Sequence, residues 1–255
     1  MRIVRFHVGA EPPRYGWLFE GKVGEIEGDP FGEYRRHEAK VPLADVTLVE
    51  PCRPTKIICV GRNYAEHAAE HGAEVPKVPL IFFKPVSSII GPGAPILLPP
   101  QSAQVEHEGE LVVVIGRRTR HVPADAARES VFGYTVGNDV TARDLQKTDD
   151  QWTRAKGFDT FCPFGPWIDT DFDPSDAVVT CRVNGQMRQL ASTRDMVFNI
   201  ATLVAYVASV MTLEPGDLLF TGTPAGVGQL RPGDEVTVEI EGLGTLGNPV
   251  KAEAA

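Results

Sequence analysis

Two glutamates, Glu108 and Glu110, lie two positions apart in the run with the strongest strand signal in the chain. Side chains two apart in a β-strand project from the same face, so the two carboxylates point into one space. Residues 111–115 are apolar on both faces, which is typical of a buried strand, so the glutamates are expected to open into a cavity. Two like charges there need a cation, and oxygen ligands favour Mg²⁺, Mn²⁺ or Ca²⁺ over zinc. The alternative is the solvated face of a half-buried strand.

A third carboxylate, Asp139, stands where a predicted strand ends and a short helix begins, with Thr141 as the expected cap of that helix. Arg143 and Gln146, three positions apart, share a face of this helix. Together they can hold a carboxylate or carbonyl group of a ligand. The alternative is a capped surface helix whose Arg and Gln are merely solvated.

His67, Glu70 and His71 form the pattern H-x-x-E-H on a short predicted helix, Tyr64 to His71, with Asn63 as its N-cap. As a zinc site, two histidines one turn apart would bind the metal and the glutamate would be the base. As a dyad, His67 and Glu70 would be a base and the partner that orients it. The third interpretation is an exposed alanine-rich helix with ordinary polar side chains. A helix of barely two turns disfavours the zinc site.

Lys156 is flanked by small and aromatic residues and can present its ammonium to a buried anion, although a lone lysine is normally solvated. The glycine-rich residues 222–228 lack the Gly-Lys-Ser/Thr ending of a phosphate loop. We therefore interpret them as a tight turn that lines a site, not as a nucleotide-binding loop.

The chain has 25 glycines and 21 prolines in 255 residues, and so many turn-forming residues favour a β-rich architecture over a helix bundle. We therefore expect short strands separated by turns to position these residues. The one long helix is predicted from about Arg194 to Val210, where apolar residues follow a 3.6-residue period. Pro51 and Pro54 mark a boundary. We expect a small N-terminal β unit over residues 1–52 and a larger domain over residues 53–255.

The charge balance excludes some classes of partner. With 25 basic and 34 acidic side chains the formal net charge is −9, which argues against binding nucleic acid or an anionic membrane. The N-terminus lacks the apolar core of a signal peptide, and no apolar run is long enough to cross a bilayer. Four cysteines without a C-x-x-C pair are expected to be reduced thiols. These features predict a cytoplasmic protein.

Five blocks in this order resemble the fumarylacetoacetate hydrolase family, over roughly residues 55 to 250. The small N-terminal unit is similar to that of bacterial members related to hydroxyhepta-dienedioate isomerases. The blocks are Val60–His67 (VGRNYAEH), Phe83–Pro85 (FKP), Glu108–Leu111 (EGEL), Asn138–Asp144 (NDVTARD) and Thr221–Pro224 (TGTP).

The resemblance implies an α+β, mostly β fold: a mixed β-sandwich roll with a small N-terminal β unit, usually a homodimer. It implies a catalytic domain over residues 53–255 that binds Mg²⁺ or Mn²⁺, with Ca²⁺ a possible substitute in a crystal. The positions that match the family's site residues are the metal ligands Glu108, Glu110 and Asp139, the substrate-binding Arg143, Gln146 and Thr223, and the catalytic His67, Glu70 and Lys156.

The resemblance also implies the chemistry. In the acylpyruvate-hydrolase branch a His and a Glu on a short lid helix activate water, and these match His67 and Glu70. We expect hydrolysis of a C–C bond in an acylpyruvate or fumarylpyruvate through a metal-stabilised enolate, as in aromatic compound catabolism. The alternative is a 2-hydroxyhepta-2,4-diene-1,7-dioate isomerase, or an oxaloacetate decarboxylase or tautomerase, with the same metal site. A third interpretation is a non-enzymatic β-rich binding module with a structural metal.

Overall fold

The computed structural model describes residues 1–70 and 72–254. Within them most of the regular structure is β-strand. In chain order the strands are β1 (Arg2–His7), β2 (Arg14–Phe19), β3 (Lys22–Gly28), β4 (Tyr34–Arg36), β5 (Val41–Pro42), β6 (Thr47–Val49), β7 (Ile57–Gly61), β8 (Leu80–Lys84), β9 (Ile89–Ile90), β10 (Ile96–Leu98), β11 (Val105–His107), β12 (Gly109–Ile115), β13 (Val131–Asn138), β14 (Thr141–Ala142), β15 (Cys162–Asp169), β16 (Val178–Val183), β17 (Gln186–Ser192), β18 (Leu218–Phe220), β19 (Gly228–Gln229), β20 (Glu235–Ile240) and β21 (Gly244–Ala252).

The α-helices of the described chain are few and mostly short. They are α1 (Ala65–Glu70), α2 (Arg143–Thr148), α3 (Thr153–Lys156) and α4 (Ile200–Val210), and single 3₁₀ turns cover Leu43–Asp45, Val86–Ser88, Ala127–Ser130 and Thr193–Asp195. None of the helices in residues 1–70 and 72–254 combines the length and the apolar character that a membrane span requires.

A 13-stranded sheet runs in the order β4-β3-β2-β1-β15-β13-β12-β18-β7-β8, with β5, β6 and β9 attached beside this path. The sheet is mixed, because β18 runs antiparallel to β12 and parallel to β7. Strands of residues 1–52 enter the same sheet where β1 pairs with β15, Ile3 opposite Ile168. A domain boundary near residue 52 stays a prediction.

Two apolar cores lie on the two faces of β12. Leu111, Val113 and Ile115 belong to a core shared with α4 and with the five-stranded sheet β10-β21-β20-β16-β17. Val112 and Val114 belong to a second core, most of whose other members lie on strands of the large sheet itself, so that sheet curls around them. The predicted mostly β, α+β sandwich roll with an N-terminal β unit is confirmed.

The strand predicted across the two glutamates is interrupted at Glu108. Residues before it form β11 in a three-stranded sheet with β14 and β19, and residues after it form β12 in the large sheet. The chain therefore passes from one sheet to another at a predicted metal ligand. Burial of β12 on both faces was predicted correctly.

Three predictions at helix ends were wrong. Asn63 does not cap α1, because its side-chain oxygen accepts the Phe198 N–H at 2.8 Å and its amide donates to the carbonyls of Phe198 and Thr221. The long helix begins at Ile200 rather than near Arg194, with the Asn199 side chain accepting a hydrogen bond from the Thr202 N–H. Thr141 does not cap α2, because its hydroxyl donates to the Asp139 carbonyl at 2.8 Å instead.

Candidate metal centre

Three buried carboxylates meet where the sheets join. Glu108 occupies the break between β11 and β12, Glu110 lies on β12, and Asp139 follows β13. All three are at most 4% exposed, and one oxygen from each lies within 4.8 Å of the others. The Asp139 N–H donates to the Glu108 carbonyl at 2.9 Å, which joins two of the loops. The structure thus brings together the three residues predicted as metal ligands.

The chemistry of this donor set fits a hard divalent cation. Burial, and then the charges of Asp139 and Glu108, raise the pKa of Glu110 well above its ordinary value. A divalent cation between the three groups would offset that repulsion. The donors are all carboxylate oxygens, as Mg²⁺ and Mn²⁺ prefer.

Three cations balance part of the acidic charge. Lys84 and Lys156 contact the two oxygens of Asp139, at 2.7 and 2.6 Å, and Lys156 also lies 2.8 Å from Glu108. Burial alone would raise the pKa of Glu108, but the charges of Lys156 and Arg143 hold it below its ordinary value.

Arg143, the first residue of α2, is tied to protein groups on every side of its guanidinium. Nε donates to Glu106 at 2.7 Å, and the terminal nitrogens donate to Glu108 and to Gln146. Arg143 and Gln146 therefore share a face, as predicted, but in this arrangement they bind each other and the cluster. We call the following residues the charge cluster: Lys84, Glu106, Glu108, Glu110, Asp139, Arg143 and Lys156.

His67 and Glu70 lie on α1, with Nδ1 of the histidine 3.4 Å from a carboxylate oxygen. Glu70 also accepts the Gly226 N–H at 3.1 Å, which joins the helix to the turn after β18. His71, the third member of the alternative zinc pattern, lies outside the described residues. The structure thus places the two side chains within ion-pair distance of each other, and their roles as base and orienting carboxylate stay a prediction.

The turn at residues 221–224 supports the strand that carries Glu110. The Gly222 N–H donates to Glu110 at 2.7 Å, and the Thr223 hydroxyl lies 3.0 Å from the Gly109 carbonyl. Gly222 has φ of +98°, and a Cβ there would lie 2.7 Å from Cβ of Asn63. Only glycine meets both conditions.

Most of the predicted site residues line one cavity of about 210 Å³. Asp139 and Glu70 are not on its wall; each instead contacts a residue that is. The wall consists of Val60, Gly61, Arg62, His67, Phe82, Glu108, Glu110, Arg143, Gln146, Lys147, Trp152, Lys156 and Thr223.

Two members of the charge cluster, Lys84 and Glu106, were not predicted from the sequence. Lys84 stands in the Phe83–Pro85 block, but a single lysine has no spacing that marks it as buried. Glu106 precedes Glu108 by two positions, so the alternation along the strand was a signal for a third glutamate.

A curled mixed sheet with a buried three-carboxylate centre defines a class of enzymes that use a divalent metal. The comparison of the chain with known families agrees. Residues 56–251 match the model described as fumarylacetoacetate (FAA) hydrolase C-terminal, and residues 1–51 match the one described as Rv2993c-like, N-terminal. The chain belongs to the fumarylacetoacetate hydrolase family.

Similar proteins include both isomerases and hydrolases. A 5-carboxymethyl-2-hydroxymuconate delta-isomerase from Mycobacterium smegmatis has a TM-score of 0.91 and 47% identity, covering 99% of this chain and 100% of that one. A maleylpyruvate hydrolase from Sphingobium sp. SYK-6, solved with manganese(II) and pyruvate, has a TM-score of 0.81 and 32% identity, covering 100% of each chain. A mitochondrial oxaloacetate tautomerase Fahd2a from Rattus norvegicus is 47% identical over 82% of this chain and 71% of its own.

These findings confirm that the chain is a metal-dependent enzyme of this family, in which hydrolases and isomerases both occur. The interpretation as a non-enzymatic binding module is set aside.

Proposed function

We propose that this chain hydrolyses a carbon–carbon bond of an acylpyruvate, with fumarylpyruvate as the representative substrate. The observation that carries the proposal is the His67–Glu70 pair on α1, since His67 lines the same cavity as Glu108 and Glu110. Hydrolysis needs a base that activates water beside the reacting carbonyl. Enol–keto conversion needs no attacking water.

Glu108, Glu110 and Asp139 are proposed to hold Mg²⁺ or Mn²⁺. When bound, such a cation supplies Lewis acidity and orients the carboxylate and 2-oxo group of the substrate. Arg143, Gln146 and Thr223 lie on the same cavity wall and are proposed to bind substrate oxygens.

Glu70 orients the imidazole of His67 through Nδ1, and His67 takes a proton from the water that attacks the distal carbonyl carbon. The new C–O bond forms as the C–C bond to the pyruvate portion breaks. The leaving carbon keeps the electron pair as an enolate and then takes up a proton. The ammonium of Lys156, buried beside Glu108, is placed to offset the enolate charge.

A second candidate is isomerisation or tautomerisation of an unsaturated 2-oxo acid, or decarboxylation of oxaloacetate. The 47% identity to an isomerase and to an oxaloacetate tautomerase favours it. The same enolate stabilisation serves these reactions, without attack by water.

The decisive experiment compares His67→Ala with the unchanged chain. We expect hydrolysis of fumarylpyruvate to fall about 10²- to 10⁴-fold, the usual contribution of a general base, with oxalate affinity by calorimetry nearly unchanged. An equal loss of oxalate binding would contradict the assignment of His67 as the base. No fumarylpyruvate hydrolysis by the unchanged chain, with oxaloacetate tautomerisation insensitive to His67→Ala, would favour the second candidate.

A homodimer is part of the proposal. Apolar side chains are exposed along the edge strand β8 and around it, including Val78, Phe83 and Val86, and such patches are typical of interfaces. Light scattering on the purified chain measures the mass, and a monomer at micromolar concentration would contradict the dimer.

A cytoplasmic location is also proposed. Cys52, Cys59, Cys162 and Cys181 are buried free thiols, as expected of a protein in a reducing compartment. Fractionation of cells that produce the chain tests this location.

A further inference from the structure

The cations that line the cavity divide into two groups. Arg143 and Lys156 are paired with buried carboxylates. Arg62 and Lys147 line the same cavity, yet neither forms an ion pair with any carboxylate of residues 1–70 and 72–254. Two positive charges therefore remain on the wall for a ligand.

The charge cluster cannot neutralise a second anionic group. It holds four carboxylates and three cations, which give a net charge of −1 when His67 is not counted. A bound divalent cation would bring the net charge to +1. One positive charge balances the carboxylate of a 2-oxo acid. A second carboxylate on the substrate needs another cation.

The backbone holds Arg62 at the cavity in an uncommon conformation. Its φ is +57°, in the left-handed region that residues other than glycine seldom adopt. The next residue, Asn63, is fully buried and anchors the loop: its amide donates to the carbonyls of Phe198 and Thr221 at 3.0 and 2.7 Å. Strain held at a cavity wall by such anchors is typical of functional positions.

Aromatic rings connect the two groups of cations. The Phe82 and Trp152 rings meet edge to face with centroids 5.2 Å apart, and Nζ of Lys156 lies 4.9 Å from the Phe82 centroid. At the other end, a Cβ on Gly61, the neighbour of Arg62, would lie 3.1 Å from the Trp152 ring. A short carbon chain can therefore run along the rings from the charge cluster to Arg62.

We propose that Arg62, with Lys147 beside it, binds the distal carboxylate of a dicarboxylic 2-oxo acid and sets selectivity against monocarboxylic analogues. This inference rests on the proposed function, which has the 2-oxo acid end of the substrate bind at the charge cluster. It adds a specificity residue that the metal centre and the His67–Glu70 pair do not supply.

The test uses Arg62→Met, which keeps the length of the side chain and removes its charge. The substrates are fumarylpyruvate and crotonylpyruvate, which differ only by a methyl group in place of the distal carboxylate. We expect the ratio of the two kcat/KM values to fall about tenfold or more in Arg62→Met, the usual effect of losing one charged hydrogen bond. Arg62→Lys should retain part of the ratio. The matched control, Arg118→Met, removes an arginine that is 76% exposed and outside the cavity wall, and should retain all of it.

An unchanged ratio in Arg62→Met, or an equal loss for both substrates, would overturn the inference. A second measurement separates it from the proposed function. Calorimetry with Mg²⁺ compares 2-oxoadipate with 2-oxohexanoate, which differ in the same way and have no bond to hydrolyse. A preference for 2-oxoadipate that Arg62→Met abolishes supports the inference even if neither acylpyruvate is turned over, and no preference in the unchanged chain overturns it.

Discussion

Asp139 is the residue at which the charges of the site converge. Its two oxygens contact Lys84 and Lys156, and its N–H holds the carbonyl of Glu108. A carboxylate fixed in this way loses little freedom when it binds a metal. Substitutions in this group should therefore act mainly on ion binding.

At the residue scale, Glu110→Gln should weaken Mg²⁺ and Mn²⁺ binding by about a hundredfold, since it removes a ligand charge while keeping an acceptor for the Gly222 N–H. Isothermal titration measures the affinity. The control is Glu239→Gln, which removes an exposed glutamate on β20. An unchanged affinity in Glu110→Gln would place the metal elsewhere.

At the scale of elements, the turn after β18 links the carboxylate centre to helix α1. The turn after β18 holds Glu110 through Gly222 and contacts α1 through Gly226. Gln189 on β17 joins the same structure, because its amide donates to the Thr223 hydroxyl and accepts the Gly109 N–H. A change in this turn therefore affects both the predicted metal ligand Glu110 and the helix that carries His67.

Gly222→Ala should lower the free energy of unfolding by about 3 kcal/mol, because the new Cβ meets Asn63 at 2.7 Å in addition to the strain at φ of +98°. Gly185→Ala is the matched control. Gly185 also has positive φ, +76°, but a Cβ there meets nothing within 4 Å, so the expected cost is about 1 kcal/mol.

Urea unfolding measures both costs, and titration should show weaker metal binding in Gly222→Ala alone. An equal loss of unfolding free energy in the two variants would mean that the contact with Asn63 does not destabilise Gly222→Ala.

At the scale of the whole molecule, both cores contain thiols that folding keeps from ionising. Burial raises the pKa of Cys162 and of Cys181 to about 12, from an ordinary value of 9.0. It likewise raises the pKa of Tyr15 to about 12. A pKa raised by folding stabilises the fold fully below the unfolded value, and this contribution is lost as the pH rises towards the folded value.

The free energy of unfolding should therefore fall between pH 9 and about 12, each buried thiol contributing up to about 1.4 kcal/mol per pH unit. Cys181→Ser removes one titrating group, and its unfolding free energy should decline less steeply over this range. Denaturant unfolding at several pH values measures how the free energy of unfolding depends on pH. At pH 8 the thiol does not titrate, so the difference between the variant and the unchanged chain there measures the effect of the substitution on packing. An identical slope in the variant would refute this origin of the alkaline loss.

Local patterns singled out Glu108, Glu110 and Asp139, which the structure brings together, because these positions depend on short-range rules. Alternation along a strand and the end of a strand are visible in one stretch of sequence. The start of α4 was not predictable in this way. Its preceding N–H groups at Val197 and Phe198 donate to the backbone and side chain of Asn63, at 2.8 Å each, in place of helical acceptors.

From the sequence by itself, the glycine and proline content predicted the β-rich class, and periodicity within one segment predicted the burial of β12 on both faces. Local position along the strands also singled out Glu108, Glu110 and Asp139, which the structure brings together. The tertiary structure decided which charges meet: Lys84 with Asp139, Glu106 with Arg143, and Arg62 on the wall with no acidic partner among the described residues. The physical reason is that Coulomb interactions in a buried site depend on distances between segments far apart in the chain. Those distances exist only once the sheets have come together.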